Sequence, residues 1–183
     1  MNYLQITHED VCNGNGLRVV LWLSACSHHC HNCQNPQTWN PDSGILFDEA
    51  AKQEIFDELS KDYISGITLS GGDPLHEQNL DGVLDLIKEI RLSFPEKSIW
   101  LYTGYTWEKI MNDFENSKRW LQASWKHSAI TRYEIIKNVD ILVDGEYIDE
   151  QRNLSKKWAG SDNQRCVDVK QSLTQGKVVL YCD

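Results

Sequence analysis

The sequence has no apolar run long enough to cross a membrane, and its first residues, MNYLQITHED, lack the basic segment and apolar stretch of a signal peptide. Positive charge is also scarce. The sequence has 18 Lys and Arg residues against 27 Asp and Glu residues, which gives a formal net charge of −9. Phosphate backbones are bound by clustered positive charge. We therefore expect no nucleic-acid partner, no membrane partner and a cytoplasmic location.

Internal repeats and low-complexity tracts are missing as well. The chain has 40% hydrophobic residues, enough for a core of ordinary size, and 25% charged residues, a share typical of globular proteins. This composition argues against disorder and fibrous structure. The length of 183 residues predicts a single domain over residues 1–183.

Short apolar runs alternate with segments of helical periodicity. Four runs are predicted as strands: Leu17–Leu23, Gly66–Leu69, Ser98–Tyr102 and Asp140–Val143. Helices are predicted from a cap at Asp48 to about Leu59, over the apolar repeat from Leu80 to Ile90, and after a cap at Thr106. A longer helical segment is predicted over 107–138, and late strands or edge pieces over 166–169 and 178–181. This order predicts an α/β fold with a mostly parallel sheet and crossover helices.

Each predicted strand runs into a polar or glycine-rich segment. These segments are a cysteine loop at 24–44, Gly71-Gly72-Asp73-Pro74, Thr103-Gly104-Tyr105 and Asp144-Gly145. In parallel sheets, ligands bind beyond the carboxyl ends of the strands. We therefore expect all four segments to open onto one face and form a binding site there.

Three of the six cysteines, Cys26, Cys30 and Cys33, fall within eight residues in the pattern CxxxCxxC. Clustered thiols in a cytosolic protein indicate metal ligands rather than disulfides. Three thiolates on a four-iron cluster leave one iron open to another molecule. The spacing therefore favours an iron–sulfur cluster. Cys12, Cys166 and Cys182 are given no role, and Cys166 is predicted to be a buried small apolar side chain.

Zinc is the main alternative for the cysteine loop. A structural zinc site needs a fourth ligand, and His28, His29 and His31 are available for that. The usual zinc pattern adds a second pair of ligands further along the chain, and the sequence has none. Redox-active or unliganded thiols are a third interpretation. We expect the three histidines to be solvated loop residues.

The order of these motifs resembles a known superfamily. CxxxCxxC after the first strand and Gly71-Gly72-Asp73-Pro74 after the second are similar to the signature and glycine-rich turn of radical S-adenosylmethionine enzymes. Further segments resemble the family that activates the anaerobic (class III) ribonucleotide reductase. They are NGNG at 13–16, TWN at 38–40, WLYTGY at 100–105, VDG at 143–145 and the tail GSxNQR at 160–165.

The resemblance implies a shortened, partial (βα) barrel of the radical S-adenosylmethionine type. It implies a [4Fe-4S] cluster on Cys26, Cys30 and Cys33 with one open iron. It also implies reductive cleavage of S-adenosylmethionine to a 5′-deoxyadenosyl radical. That radical would make a glycyl radical on the large catalytic subunit of the anaerobic ribonucleotide reductase. The electron would come from a small flavin or iron–sulfur protein.

The resemblance also implies roles for residues near the strand ends. Gly71 and Gly72 would let the backbone approach the methionine part of the cofactor, and Asp73 would accept a hydrogen bond from its ammonium group. Ribose or amino-acid contacts are implied for the group Tyr102, Thr103 and Asp144, although Asp144 also fits a simple Asp-Gly turn. Asn32 stands where the superfamily usually has an aromatic residue near the adenine. The backbone there is expected to contact the nucleoside.

Two other functions compete with this interpretation. One is a different small radical enzyme, which either activates another glycyl-radical protein or modifies a nucleobase precursor. The other is a zinc-binding interaction module without catalytic activity. The metal content and colour of the protein separate these classes, because zinc is colourless and an iron–sulfur cluster is brown.

Overall fold

The computed structural model of the protein describes residues 1–119 and 123–182 and contains one eight-stranded sheet. The strands are β1 (Asn2–Asp10), β2 (Leu17–Leu23), β3 (Ile45–Leu46), β4 (Ile64–Gly71), β5 (Ser98–Tyr102), β6 (Ile141–Asp144), β7 (Arg165–Asp168) and β8 (Leu180–Cys182). The helices are α1 (Glu49–Leu59), α2 (Leu80–Ser93), α3 (Trp107–Ser117), α4 (Ala123–Lys137) and α5 (Val169–Gln175). No helix in the described residues is long and apolar enough to span a membrane.

The strands lie in the order β3-β1-β2-β4-β5-β6-β7-β8. The central strands β2, β4, β5 and β6 are parallel, while β1 and β3 on one side and β7 and β8 on the other are antiparallel to their neighbours. The sheet is open. The prediction of an α/β fold is confirmed, and the predicted parallel order holds for the four central strands.

Alternate residues of the strands enter two separate apolar clusters. Ile99 and Leu101 of β5 face the main core, to which all five helices contribute side chains. Trp100 faces the opposite way and packs in a smaller cluster with Val143 and Cys166. Cys166 is 2% exposed, so its predicted burial is confirmed.

Two helix starts follow from the capping residues in the sequence. The Asp48 carboxylate accepts a hydrogen bond from the Ala51 amide at 3.0 Å, and the Thr106 hydroxyl accepts one from the Lys109 amide at 3.2 Å. Side chains at this position satisfy amides that have no partner within the helix. Both predicted caps are confirmed.

The segment 107–138 contains two helices, α3 and α4, rather than one continuous helix. Trp107 is buried in the main core, whereas the Trp125 side chain is 64% exposed. Trp120, between these two tryptophans in the sequence, lies outside the described residues. The rings of Phe114 and Tyr133 stack at 3.7 Å and join the two helices.

Candidate cofactor site

The loops that follow the parallel strands meet at one end of the sheet. A cavity of about 130 Å³ there is lined by all three clustered thiols, by the Gly71-Gly72-Asp73 turn, and by Tyr102 and Thr103. The predicted convergence of the cysteine loop with the later strand ends is therefore confirmed. Glu146, Tyr147 and the tail-motif residue Gln164 also line this cavity, and sequence reasoning had assigned none of them a role in the site.

The cysteine loop bends sharply around its sulfur atoms. Ala25, His29 and Asn32 have positive φ angles of 71°, 48° and 54°, a conformation that residues with a Cβ rarely adopt. The Cys26 amide donates to the Trp39 carbonyl at 3.2 Å, and the Cys33 amide donates to the Cys30 carbonyl at 3.1 Å. Strained backbone of this kind concentrates at functional sites.

Two opposing effects act on the thiols of the cysteine loop: burial disfavours the thiolate form, and nearby backbone amides favour it. Burial raises the pKa of Cys26 to about 11, and burial also raises the pKa of Cys30. Backbone hydrogen bonds oppose these shifts, because amides of His28 and His29 point at the Cys26 sulfur and the Tyr147 amide points at the Cys30 sulfur. Metal binding displaces such protons and is favoured by donors to the charged sulfur.

The grouping of the three thiols bears on the choice between a cluster and a single metal ion. Across residues 1–119 and 123–182, no three His, Cys, Asp or Glu side chains are grouped so as to hold one metal ion. A zinc site needs its ligands to converge on one atom, with zinc–sulfur distances of about 2.3 Å. Cysteine ligands of an iron–sulfur cluster bind different iron atoms and so stand further apart. All three thiols line one cavity, so a cluster that takes one cysteine ligand per iron fits their arrangement.

Two buried donors in the cavity wall have no hydrogen-bond partner among the described residues. They are the Tyr102 hydroxyl and the Trp39 indole N–H. Burial raises the pKa of Tyr102, so its phenol stays neutral and able to donate. Buried polar groups without partners are rare in folded proteins. These two donors therefore fit a bound group that carries acceptor atoms.

A second, larger cavity adjoins the first. It has a volume of about 390 Å³ and shares Cys33, Tyr102 and Gln164 with the smaller cavity. Trp22 and Trp158 also line it. Ligand sites of this size and aromatic character hold small molecules in many proteins. The two cavities together offer room for a group at the thiols and for a nucleoside-sized ligand beside it.

The glycine-rich turn packs directly against the cysteine loop. The Gly72 amide donates to the Leu23 carbonyl at 2.8 Å, and the Asp73 amide donates to the Ala25 carbonyl at 2.7 Å. A Cβ on Gly72 would lie 2.6 Å from that same Ala25 oxygen. The glycine at position 72 is therefore needed for the close approach of two protein segments. Its predicted role toward the cofactor stays a prediction.

Asp73 is 1% exposed and its carboxylate already has several partners. The amides of Leu75 and Gly104 donate to it at 2.8 and 3.1 Å, and the Thr103 hydroxyl lies 2.9 Å from both oxygens. The fourth partner is the His28 ring, with Nε2 at 2.8 Å. Asp73 therefore joins the glycine-rich turn to β5 and to the cysteine loop. Its predicted contact with the cofactor's ammonium group stays a prediction.

His28 is a further part of the site that sequence reasoning missed. The expectation of solvated histidines is wrong for His28, whose side chain is 11% exposed, although His29 and His31 are exposed as expected. The His28 Nδ1 atom lies 2.9 Å from a Glu146 oxygen, so the ring bridges Asp73 and Glu146. Burial lowers the pKa of His28, but the hydrogen bonds and charges of the two carboxylates outweigh it and raise that pKa above 6.5.

Glycine at position 104 makes room for the His28 ring. A Cβ there would lie 2.5 Å from the ring. The Tyr105 ring packs edge-on against His28 with centroids 4.9 Å apart. The Thr-Gly-Tyr segment in the sequence was a signal for this arrangement, since a glycine between two larger residues can mark close packing.

Asp144 and Asn32 have partners outside the cavities. Asp144 is 1% exposed, accepts a hydrogen bond from the Trp107 amide at 2.8 Å and forms an ion pair with Arg165. The Asn32 side chain is exposed and donates to Asp149 at 2.7 Å. These contacts account for both side chains structurally. The cofactor contacts that the resemblance implied for them stay predictions.

Comparison with known proteins places the chain in a family. A family model described as a 4Fe-4S single cluster domain matches residues 12–167. The anaerobic ribonucleoside-triphosphate reductase-activating protein of Enterobacteria phage T4 is 41% identical over 90% of this chain and 92% of its own length. The proteins of the same name from Haemophilus influenzae and Escherichia coli K12 are 36% and 35% identical, each over 90% of this chain and 96% of their own length.

This chain belongs to the anaerobic ribonucleoside-triphosphate reductase-activating protein family. The resemblance drawn from the sequence motifs is thereby confirmed.

The tail motif of this family member forms a closed polar loop beside the cavity. The Gln164 side chain accepts a hydrogen bond from the Gly160 amide at 2.9 Å and donates one to the Gly145 carbonyl at 2.9 Å. The Asn163 side chain donates to the Glu146 carbonyl at 2.8 Å. The motif therefore positions the segment after β6 from which Glu146 and Tyr147 reach the site.

Proposed function

We propose that this chain is an iron–sulfur activase that generates the glycyl radical of the anaerobic ribonucleotide reductase. The observation that carries the proposal is one cavity at the strand ends shared by Cys26, Cys30, Cys33 and the Gly71-Gly72-Asp73 turn. Relatives over nine-tenths of the chain carry the name of reductase-activating proteins, and the family model is that of a 4Fe-4S domain. Both support the same assignment.

The three thiols would hold a [4Fe-4S] cluster with one iron open to S-adenosylmethionine. When bound, the reduced cluster supplies one electron, and S-adenosylmethionine supplies the radical that removes a hydrogen atom from a glycine of the large catalytic subunit. The amides around Cys26 and Cys30 stabilise thiolate charge. The Tyr102 hydroxyl and the Trp39 indole N–H supply donors to acceptor atoms of the bound groups.

The fold of the chain is consistent with this proposal. Four parallel strands with crossover helices on one face support the proposal of a shortened, partial (βα) barrel of the radical S-adenosylmethionine type. A closed eight-fold barrel usually takes about 250 residues. The open sheet leaves the cavities accessible to a large partner. A small flavin or iron–sulfur protein would deliver the electron.

The direct test is cleavage of S-adenosylmethionine under anaerobic conditions. The protein is reconstituted with iron and sulfide, reduced, and assayed for 5′-deoxyadenosine. We expect a brown protein that releases 5′-deoxyadenosine, loss of that release in Cys30→Ala, and unchanged release in the matched control Cys182→Ser, whose thiol lies outside both cavities. Addition of the reductase subunit should then produce a glycyl radical signal in electron paramagnetic resonance spectra.

Other outcomes would contradict the proposal in distinct ways. A colourless zinc protein that cleaves no S-adenosylmethionine would leave the interaction module. Release of 5′-deoxyadenosine without any radical on the reductase subunit would favour a different small radical enzyme.

A further inference from the structure

Two cysteines far from the clustered thiols face each other across the last two strands of the sheet. Cys166 of β7 and Cys182 of β8 are aligned as direct partners in the antiparallel register. Directly opposed residues in such a pair have Cα atoms about 4.5 to 5.5 Å apart. Disulfides need Cα separations of about 4.4 to 6.8 Å. The backbone therefore holds these two residues at a separation that a disulfide can bridge.

The two cysteines also belong to the same packed region of the structure. Cys182 packs against the small apolar cluster that contains Cys166, and both cysteines are in the free thiol form. Val167 pairs with Leu180 next to the cysteine pair, with a register irregularity between the two pairs, so strand pairing already brings Cys182 opposite Cys166. This pairing is independent of the site at the strand ends and does not rest on the proposed function.

The surroundings divide the two thiols into an accessible one and a protected one. Cys166 is 2% exposed, whereas Cys182 is partly exposed. Burial, followed by the neighbouring Cys182, raises the pKa of Cys166 to about 12. Lys156, Lys157 and Arg165 line a small cavity at the pair, and cations near a thiol favour its thiolate form. An external reagent therefore reaches Cys182 first.

We propose that Cys166 and Cys182 form a reversible disulfide by exchange with a small disulfide such as oxidised glutathione. The Cys182 thiolate attacks one sulfur of oxidised glutathione, whose disulfide bond breaks and releases one glutathione thiolate. The Cys166 sulfur, deprotonated as it reacts, then attacks the Cys182 sulfur of the mixed disulfide and releases the second glutathione. The two cysteines lose two electrons and two protons, and one oxidised glutathione becomes two reduced molecules.

This disulfide would fix the wall of the larger cavity. β8 is a three-residue edge strand, and its Tyr181 ring packs against Trp100 and Trp158 at centroid distances of 5.4 and 5.9 Å. Trp158 lines the larger cavity together with Cys33. Oxidation of the pair would therefore fasten the strand that supports this wall, while reduction leaves it held by pairing and packing alone.

The test uses the full chain loaded with iron and equilibrated anaerobically in glutathione buffers of increasing oxidised fraction. Samples are quenched in acid, alkylated, digested with trypsin and analysed by mass spectrometry. Cleavage after Lys and Arg places Cys12 in peptide 1–18, the clustered cysteines in 19–52, Cys166 in 166–170 and Cys182 in 178–183. Each kind of thiol can therefore be followed separately.

We expect a linked peptide that joins 166–170 to 178–183, about 2 Da lighter than the sum of its parts and lost on reduction. It should exceed any link to Cys12 by about tenfold, because the strand register places only these two cysteines opposite each other. Cys166→Ser and Cys182→Ser should each abolish the linked peptide, and Cys12→Ser should leave it unchanged.

The opposite pattern would overturn the proposal. If oxidised buffers convert Cys182 only to its mixed disulfide with glutathione while Cys166 is recovered alkylated, the two thiols do not form a bond. The wild-type map decides this without any variant, so a variant that folds poorly does not obscure the result. Formation of the bond in iron-loaded protein, with the cysteines of 19–52 recovered only in the alkylated form, would support the proposal and separate this pair from the clustered thiols.

Discussion

His28 connects three parts of the candidate site through one imidazole ring. Its two nitrogen atoms contact the carboxylates of Asp73 and Glu146, which are 45 and 118 residues away in the sequence. Because Asp73 is buried, the loss of one of its donors leaves part of a carboxylate without a partner. The ring therefore stabilises the position of the cysteine loop relative to the glycine-rich turn.

We predict that His28→Ala lowers the free energy of unfolding by about 1 to 3 kcal/mol and weakens S-adenosylmethionine binding by the iron-loaded protein. Denaturant titration measures the first effect and equilibrium binding the second. His31→Ala is the matched control, since its side chain is 78% exposed and its contact with Asp149 is 3.9 Å long. Equal stability of the two variants would show that the bridge contributes nothing.

Gly104→Ala should reproduce much of the His28→Ala effect. The added Cβ would lie 2.5 Å from the His28 ring and force it away from Asp73. In the His28→Ala background, Gly104→Ala should lower the free energy of unfolding much less, because the ring that the Cβ would displace is absent. A double-mutant cycle of denaturant titrations measures this coupling. Additive effects would contradict the steric explanation.

At the scale of secondary-structure elements, one ionic network joins β6, β7 and the start of α3. Arg165 of β7 contacts Asp144 at the end of β6 and also Glu108 in the first turn of α3, at 2.8 Å. Asp144 also accepts a hydrogen bond from the Trp107 amide, which has no partner within the helix. The network therefore fixes α3 against the two strands beside the cavity.

The network makes a pH-dependent contribution to stability. The hydrogen bond from Arg165 lowers the pKa of Glu108 below 4.5 in the folded state. A lowered folded pKa stabilises the protein above the unfolded pKa, and this contribution is lost as the pH falls through the folded pKa. Since the Glu108 side chain is 60% exposed, the contribution is below about 1 kcal/mol.

We predict that Glu108→Gln is less stable than the wild type at pH 7 and that the difference shrinks as the pH falls below 4.5. Urea titrations across this range measure it. Glu115→Gln on the same helix is the control, because its pair with Lys118 is exposed on both sides and should contribute little. A difference that is constant with pH would exclude the ionic explanation.

The elements predicted from sequence are those whose signal is local. Continuous apolar runs marked the central strands, and Asp48 and Thr106 marked helix starts. β1 was missed because its residues are partly exposed and polar residues interrupt its apolar ones. The short helix α5 was missed because few of its seven residues are apolar.

The residues of the candidate site also fall into those with a local sequence signal and those without one. The three cysteines and the glycine-rich turn are contiguous motifs and could be read directly. The contacts of His28 with Glu146 and of Arg165 with Glu108 join residues 118 and 57 positions apart. No local pattern encodes such pairs, because only the packing of the whole sheet brings them together.

At the scale of the whole molecule, the sheet is open and both cavities reach the surface beside it. We predict that addition of the reductase's large subunit slows removal of cluster iron by a water-soluble chelator, because the partner covers the cavity mouth. Loss of the cluster's visible absorbance gives the rate. Bovine serum albumin at equal concentration is the control. An unchanged rate in a complex shown to form would mean that the partner binds elsewhere.

Hydrogen bonds within the protein hold the cysteine loop in place, and this affects how the cluster can be inserted. Small zinc domains acquire their fold only when the metal arrives. Here the Trp39 carbonyl, the Asp73 amide and the His28 ring already hold the loop in its final curvature. Insertion of the cluster would then require no large rearrangement of the cysteine loop. The iron-free chain would then fold before the cluster is inserted, and its unfolding transition should stay cooperative without iron.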